Sequence, residues 1–461
     1  MARITTTPDL QAAEPPQPIL LSPAEAALWH AEEWMLGAFR TAGLFRLDGR
    51  IESSLMRSAL QQLQQRHPKL RAVIVRGDDG VLRYDFGRPV QPIPFEIKDY
   101  DQGEAPFREE ARRMLQSEFP AGGPLVMVTV LRNGPLDSSH VILVVHHAIG
   151  DGVSAIMLAS DLLAAYARAA ETHEEQAPEP SLQLVRGARA KALSSWRDRW
   201  WLFRRFTRVQ GEEKRGRRTP LPWDPEIPPQ SQWVLWVFSR EETMRLVRRC
   251  RSEQTSLVGV LTAAACCGLM DCLSKPQAIF NCQFPFDVRN KLEETVTIQD
   301  LGAFASVMNE FYSLSHPLSF WDFARLVHRD IQIFVEHEGP SFYYNLLAYY
   351  QRVAGWLSAL SRNKSTILTR PDDQRVTLYA TNFGVANFRD TYGSLRLREG
   401  MIFFKGDIVG PWLIMSSMVI GQRLNLTFAA DSIDSLLWEQ LQAAVRKYLD
   451  MVVNGAPGTV I

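Results

Sequence analysis

The sequence predicts an α/β protein, layered from helices and sheets, in two lobes. Three observations predict it. At 461 residues the chain exceeds the roughly 250–300 residues over which a single core keeps growing. Helical and strand patterns intermix in both halves, so each half can cover a sheet with its own helices. Between the halves the composition shifts. Prolines cluster at Pro178 and Pro180 and again from Pro220 to Pro229, around a basic, tryptophan-rich stretch. The expected organisation is a lead-in over 1–18, a first lobe over 19–175, a connection over 176–232 and a second lobe over 233–461.

The elements follow in order. The lead-in is rich in Pro and Ala and reads as loose. Ser22 to about Trp34 reads as a helix, because Ser22 suits the N-cap, Pro23 the first helical position and Glu25 the third. Gly43–Leu47 reads as a strand. Glu52–Arg66 carries Leu55, Ala59, Leu60 and Leu63 at helical spacing, and Pro68 stops it. Leu70–Arg76 and Val81–Phe86 flank Gly77-Asp78-Asp79-Gly80 as a hairpin. Arg108–Phe119 is a helix. Leu125–Leu131 and His140–Val145 are strands joined through Asn133-Gly134-Pro135. The second feeds a glycine loop, Ala148–Gly152, and Val153–Ala170 follows as a helix. In the second half, strands are expected at Trp233–Ser239, Ala278–Phe284 and about 376–382, 401–408, 411–419 and 423–429. Helices are expected at Glu241–Arg251, Ser256–Cys272, about 319–335, about 340–361 and Ser432–Val452.

Composition narrows the function. Hydrophobic residues are 46% and charged residues 22%, a globular balance. Lysine plus arginine and aspartate plus glutamate are 51 each, so no global field draws the chain to nucleic acid. The longest nearly uncharged run, Leu257–Met270, is shorter than a spanning helix needs. The N-terminus lacks the apolar core of a secretory signal. Cys250, Cys266, Cys267, Cys272 and Cys282 are odd in number and contain no Cys-x-x-Cys pair. They read as buried free thiols of a reducing, cytoplasmic setting and not as a zinc site.

One segment carries chemistry: Val144-Val145-His146-His147-Ala148-Ile149-Gly150-Asp151-Gly152. The chain has nine histidines. A chance His-His-x-x-x-Asp-Gly has odds of roughly one in a thousand. Val141–Val145 is apolar throughout and reads as a strand buried on both faces. Neighbouring strand side chains point to opposite faces. Unless the strand has already ended, the two imidazoles cannot both face one ligand, so one is expected to face a cavity while the other packs, which argues against a two-histidine metal site. Gly150 and Gly152 permit a tight turn with positive φ. Asp151 stands at the start of the next helix, where it caps or meets a cation. His316, His328 and His337 are scattered and take no role.

HHAIGDG resembles the HHxxxDG motif of the condensation-domain superfamily, which includes nonribosomal peptide condensation domains, polyketide-associated acyltransferases, plant BAHD-type acyltransferases and bacterial wax-ester synthases. Other segments are similar to that family in order and spacing from about 20 to 455: LSPAEAALW, LQQRHPKLRAVI, FPFDVRN at Phe284–Asn290, LGAFASVMN at Leu301–Asn309, and TNFGVANF at Thr381–Phe388. Thr381 stands where the standalone acyltransferases have serine. The resemblance implies two chloramphenicol-acetyltransferase-like lobes with a tunnel between them. It implies that His147 faces the tunnel and that Asp151 points away and pairs with Arg289. His146, Asp151, Gly152 and Arg289 would then be structural. Asn382 and Gly384 would either line the tunnel or form a turn between strands.

A neutral imidazole is a natural base for acyl transfer from a thioester at neutral pH. No Gly-x-Ser-x-Gly elbow is present, so direct transfer without an acyl-enzyme is expected. The leading expectation is a standalone acyltransferase that forms an ester, judged from the likeness of TNFGVANF to the esterifying branch. The donor would be acyl-coenzyme A or an acyl group on the phosphopantetheine arm of an acyl or peptidyl carrier protein. The acceptor would be a small or lipid-like alcohol. No tightly bound cofactor, no metal, no nucleic acid and a monomeric chain are expected. The alternatives are a free-standing condensation domain that forms an amide, a non-catalytic scaffold that binds a carrier protein, and, more remotely, a metalloenzyme. The basic stretch 194–218 reads as a solvated loop, as a patch for coenzyme A phosphates or an acidic carrier helix, or as an interfacial helix on an anionic membrane.

Overall fold

The computed structural model describes residues 18–35, 40–101, 105–171, 181–185, 188–216, 218–222, 227, 232–317, 319–346, 376–404, 412–430 and 432–455. The first half supplies strands β1 (Ile19–Leu20), β2 (Arg40–Asp48), β3 (Val73–Arg76), β4 (Leu82–Asp85), β5 (Phe95–Tyr100), β6 (Val126–Asn133) and β7 (Ser138–His146). Its helices are α1 (Pro23–Met35), α2 (Ser53–Arg66), α3 (Ala105–Gln116) and α4 (Gly152–Glu171), and α5 (Trp196–Arg215) follows. The second half supplies β8 (Gln232–Val237), β9 (Gln277–Asp287), β10 (Ala305–Ser315), β11 (Leu378–Val385), β12 (Thr391–Tyr392), β13 (Leu395–Phe404), β14 (Leu413–Ile420) and β15 (Arg423–Ala430). Its helices are α6 (Arg240–Ser252), α7 (Leu257–Leu273), α8 (Phe320–Glu336) and a final helix, Ser435–Asn454.

Two six-stranded sheets organise these elements. The first runs β12-β13-β2-β7-β6-β5 and the second β10-β9-β11-β14-β15-β8. β7 is buried at every position, as expected of an apolar run between two partners. It pairs antiparallel with β2, so that Arg40 lies opposite His146, and with β6. α2 and α4 pack together, and α4 also packs on the first sheet, with α3 against the same sheet. The second sheet carries α6, α7 and the final helix around the largest apolar cluster. A third cluster joins Ala42, Leu44 and Ile142 of the first sheet to Trp233, Ile414 and Ala429 of the second. The lobes are therefore fused by packing as well as by chain.

Three expectations change. The sheets do not divide the chain at one point, because β13 leaves the second half and pairs antiparallel with β2 over Thr41–Asp48. It passes Phe403 and Met401 into the cluster between the sheets, and burial of those side chains outweighs sequence proximity. The basic stretch is not a solvated loop. Trp196–Arg215 is a helix whose Leu202, Arg205 and Val209 are buried, and Ser195 caps it by accepting from the Arg197 N–H. Pro68–Arg71 forms a 3-10 turn, so the strand expected from Leu70 starts at Val73. The helix expected at about 340–361 is seen over 339–346, and the rest lies outside the described residues. The strand expected at about 401–408 is seen to Phe404, with 405–408 likewise outside them. The cysteines are free; Cys272 is half-buried and the other four are buried. One described helix, α4, is long and apolar enough to cross a membrane, and it is largely buried within the protein.

A buried ion pair escaped the sequence reading. Lys69 donates to Glu25, and both side chains are 3% exposed. The other Glu25 oxygen accepts from the Ser22 N–H at 2.8 Å, while Ser22 Oγ accepts from the Glu25 N–H. The ammonium lies over the rings of Tyr84 and Phe304, at 5.5 and 5.6 Å. LSPAE and HPKLR thus meet beneath the 302–304 segment of the second lobe. Lys69→Met strands the carboxylate and is expected to cost ~3–5 kcal/mol in urea unfolding, with Glu25→Gln/Lys69→Met recovering part of it. A loss below about 1 kcal/mol for the single variant would contradict this role.

Candidate functional site

The site forms where β7 ends. His146 is its last residue and the chain turns at once, with the Ile149 N–H donating to the His146 carbonyl at 3.0 Å. The turn releases His147 from the pleat. His146 is buried among Trp29, which stacks on it at 5.0 Å, and Phe119 at 5.6 Å. Its Nδ1 accepts from the Ala148 N–H at 3.0 Å, and its Nε2 lies 3.4 Å from a Glu32 oxygen. Burial, then the neighbouring His147 and Arg40, push its pKa down to about 3. His146 is therefore a neutral packing residue that also closes the turn.

His147 differs from both neighbours: His146 and Ala148 are buried, and His147 stays partly accessible. Its ring stacks loosely on Phe404, with centroids 6.2 Å apart. Its Nδ1 is sealed and meets no partner at hydrogen-bonding geometry. Burial pushes its pKa below the ordinary value, while its own backbone carbonyl and the Asp151 charge oppose that shift in part. A lowered pKa makes the neutral imidazole the form present at neutral pH.

Asp151 and Arg289 hold the turn. Arg289 follows β9 in a short 3-10 turn, Arg289–Lys291. It donates from two nitrogens to the two Asp151 oxygens, each at 3.0 Å. It also donates to Ser154 Oγ at 3.1 Å and to Asp287 at 3.0 Å, and lies 4.8 Å from the centroid of the Phe304 ring. The two side chains are 5% and 4% exposed. Asp151 accepts further from the Ser154 N–H at 2.8 Å and the Phe304 N–H at 3.1 Å. It is thus both the cap of α4 and the partner of a cation. Burial alone would raise its pKa; the Arg289 charge and these donors outweigh burial and hold it below the usual carboxylate range.

The glycines act through space and not through φ, because neither Gly150 nor Gly152 lies in the left-handed region. A Cβ at Gly152 would stand 2.6 Å from the Phe383 ring and 3.2 Å from Phe404; one at Gly150 would stand 3.0 Å from Val145 and 3.1 Å from Leu301. Gly384 does need its freedom, at φ 69°. Its N–H donates to Asn382 Oδ1 at 3.0 Å, and Ser417 Oγ donates to the same atom at 3.1 Å. Asn382 and Gly384 therefore build a bulge between β11 and β14, and Asn382 is exposed. The bulge aims the residue between them, Phe383, at Gly152. Phe383, Phe404 and Tyr379, the last two 5.7 Å apart, form the aromatic wall beside His147. In the sequence the one signal of these rings is the bulky residue inside Asn-Phe-Gly. Among the described residues, no group of three or more His, Cys, Asp or Glu side chains could hold a metal ion.

A family model described as Condensation domain matches residues 18–352. Among curated proteins, the chain is 31% identical over 134 residues to tyrocidine synthase 2 of Brevibacillus parabrevis, which covers 28% of this chain and 4% of that protein. It is 30% identical over 167 residues to a dimodular nonribosomal peptide synthase of Bacillus subtilis strain 168, covering 35% and 7%. The chain thus spans a small part of these relatives. Similar solved structures include the first condensation domain of the CDA synthetase, with TM-score 0.65, 13% identity and coverage of 96% and 98%. They also include a trichothecene 15-O-acetyltransferase from Fusarium sporotrichioides, with TM-score 0.69, 10% identity and 95% coverage of both chains. At these identities the structural likeness establishes the fold alone.

Two outcomes test this geometry. Arg289→Met strands the Asp151 carboxylate and should cost ~3–5 kcal/mol in urea unfolding; a cost near zero would contradict a buried pair. His146 has an ordinary pKa of 6.5 and a folded value of about 3, so its contribution is complete above about pH 6.5 and is lost as pH falls toward 3. Between those values the unfolded chain binds the extra proton. At about pH 4.5 the wild type should have lost roughly 2–3 kcal/mol more, relative to pH 7, than His146→Gln. Parallel stability curves would contradict it.

Proposed function

We propose that this chain, which belongs to the condensation-domain family, transfers an acyl group from a thioester to a nucleophilic acceptor, with His147 as general base. The observation that carries the proposal is the partly accessible imidazole, held neutral at the end of a buried strand by a loop pinned to the other lobe. Its sealed Nδ1 leaves Nε2 to take the proton from the acceptor as the acceptor attacks the thioester carbonyl. The thiolate departs and takes up that proton as the tetrahedral species collapses. A positioned base contributes typically 10²–10⁴-fold. Alignment of two substrates can be worth ~7–11 kcal/mol more. No acyl-enzyme is required.

The acceptor we propose is a hydroxyl, which makes the product an ester. The donor is an acyl-coenzyme A or an acyl group on a carrier-protein arm. A second reading, amide formation on an amine held by a peptidyl carrier protein, is favoured by the family match and by the similarity to peptide synthases. Carrier-bound substrates follow from either reading when the donor is tethered. A non-catalytic scaffold is the third reading, and it predicts partner binding indifferent to His147.

His147→Ala should lower kcat by ~10²–10⁴ without lowering the melting temperature. Retained turnover would overturn the base assignment. The neutral ring is the active form and its pKa is below 6.5. The acidic limb of kcat/KM, with pH-independent substrates, should therefore turn below pH 6.5 and be flat above; a limb centred above 6.5 would contradict it. Acceptor screens read by mass spectrometry separate the readings, because esters are cleaved by hydroxylamine and amides survive it.

A further inference from the structure

α5 is seated firmly on the second lobe. Arg205 is buried and donates to Glu310 at 2.8 Å and to the Tyr343 hydroxyl at 3.1 Å. Leu202 and Val209 are 0% and 2% exposed. Trp201 stacks on His337 at 4.3 Å, and His337 Nδ1 meets Asp198. The opposite face is the unusual one. Trp196, Trp200 and Phe203 are 73%, 57% and 51% exposed, and Trp200 stacks on Phe203 at 6.0 Å. At 3.6 residues per turn these three rings fall within roughly 60° of arc, opposite the buried positions. No other eight residues of the described chain expose three large apolar side chains. Arg199 flanks the stripe on one side and Arg197 and Arg204 on the other, and all three are exposed. Arg208 is tied to Glu310 and Arg215 to Glu212. The three flanking arginines have no carboxylate partner among the described residues: Arg199 reaches only the Leu193 carbonyl and Arg197 only the Trp196 ring.

We propose that α5 is a membrane-contact helix, which lays Trp196, Trp200 and Phe203 into the headgroup boundary of an anionic bilayer. An exposed apolar stripe in water has a cost that a partner removes. Charge complementarity selects a negatively charged partner. Amphipathic geometry selects an interface: the three exposed rings share one face of the helix between arginines on both flanks. Trp196, Arg197, Trp200 and Arg204 also border a groove of 1130 Å³ against β10 and α8. Tryptophan, with an apolar body and one N–H donor, suits that depth. Arginines on both flanks would then lie level with lipid phosphates. The inference is independent of the acyl-transfer reading.

The test is vesicle flotation of the full chain with phosphatidylcholine vesicles and with vesicles that also contain phosphatidylglycerol. The wild type should float with the anionic vesicles at low salt and be released at high salt. Trp200→Ala/Phe203→Ala should weaken binding about tenfold or more. Arg197→Gln/Arg199→Gln/Arg204→Gln should weaken it and remove most of the salt dependence. Both variants alter exposed side chains, so their melting temperatures and their transfer to a water-soluble acceptor should match the wild type. Absence of flotation with anionic vesicles, or flotation unchanged by the aromatic variant, would overturn the proposal. So would capture of an acidic protein through this face without vesicle binding.

Discussion

The site rests on one two-pronged ion pair. Asp151 belongs to the first lobe, at the start of α4, and Arg289 to the second, at the end of β9. Four donors converge on one carboxylate: two guanidinium nitrogens, the Ser154 N–H and the Phe304 N–H. Two charges taken out of water are tolerable only with such complete satisfaction. The consequence is mechanical. The five residues between His146 and Gly152 are fixed at both ends, by the strand on one side and by the other lobe on the other. His147 has little freedom to choose where its ring stands.

Two adjacent histidines with the same intrinsic chemistry stand in different surroundings. His146 ends the pleat, packs between aromatic rings and loses its basicity. His147 begins the turn, stays partly accessible and stands against the Phe404 ring. The glycines that follow leave room for Phe383 and Leu301. Larger residues there would push the aromatic wall away from the loop that presents His147.

Much of this was legible in the sequence. The apolar run Val141–Val145 marked a strand with two partners, and His-His-x-x-x-Asp-Gly marked its end as a site. The two imidazoles are separated by the turn that ends the strand at His146, and not by the alternation of strand side chains. That Asp151 meets Arg289 came from a family resemblance, since nothing local joins residues 138 positions apart. What was not legible depends on tertiary contact. β13 joins the first sheet because its side chains fill the space between sheets. Trp196–Arg215 is a helix because Leu202, Arg205 and Val209 recur on one face, a pattern masked by the density of arginine and tryptophan. Lys69 and Glu25 lie in separate elements, and each reads alone as an ordinary surface charge. The glycine positions were identified for the wrong reason, because crowding and not positive φ demands them.

The central claim is that the ion pair holds the His147 loop in place, and titration of the His147 ring by NMR in Asp151→Asn tests it most directly. Two causes pull in opposite directions. Removing the anion would by itself lower the imidazole pKa further, since the Asp151 charge raises it. Releasing the loop would return the ring to water and raise its pKa toward the ordinary value. The account predicts a pKa below 6.5 in the wild type and an upward shift in the variant. A downward shift, or none, would mean that the loop stays in place without its anchor, and would contradict it.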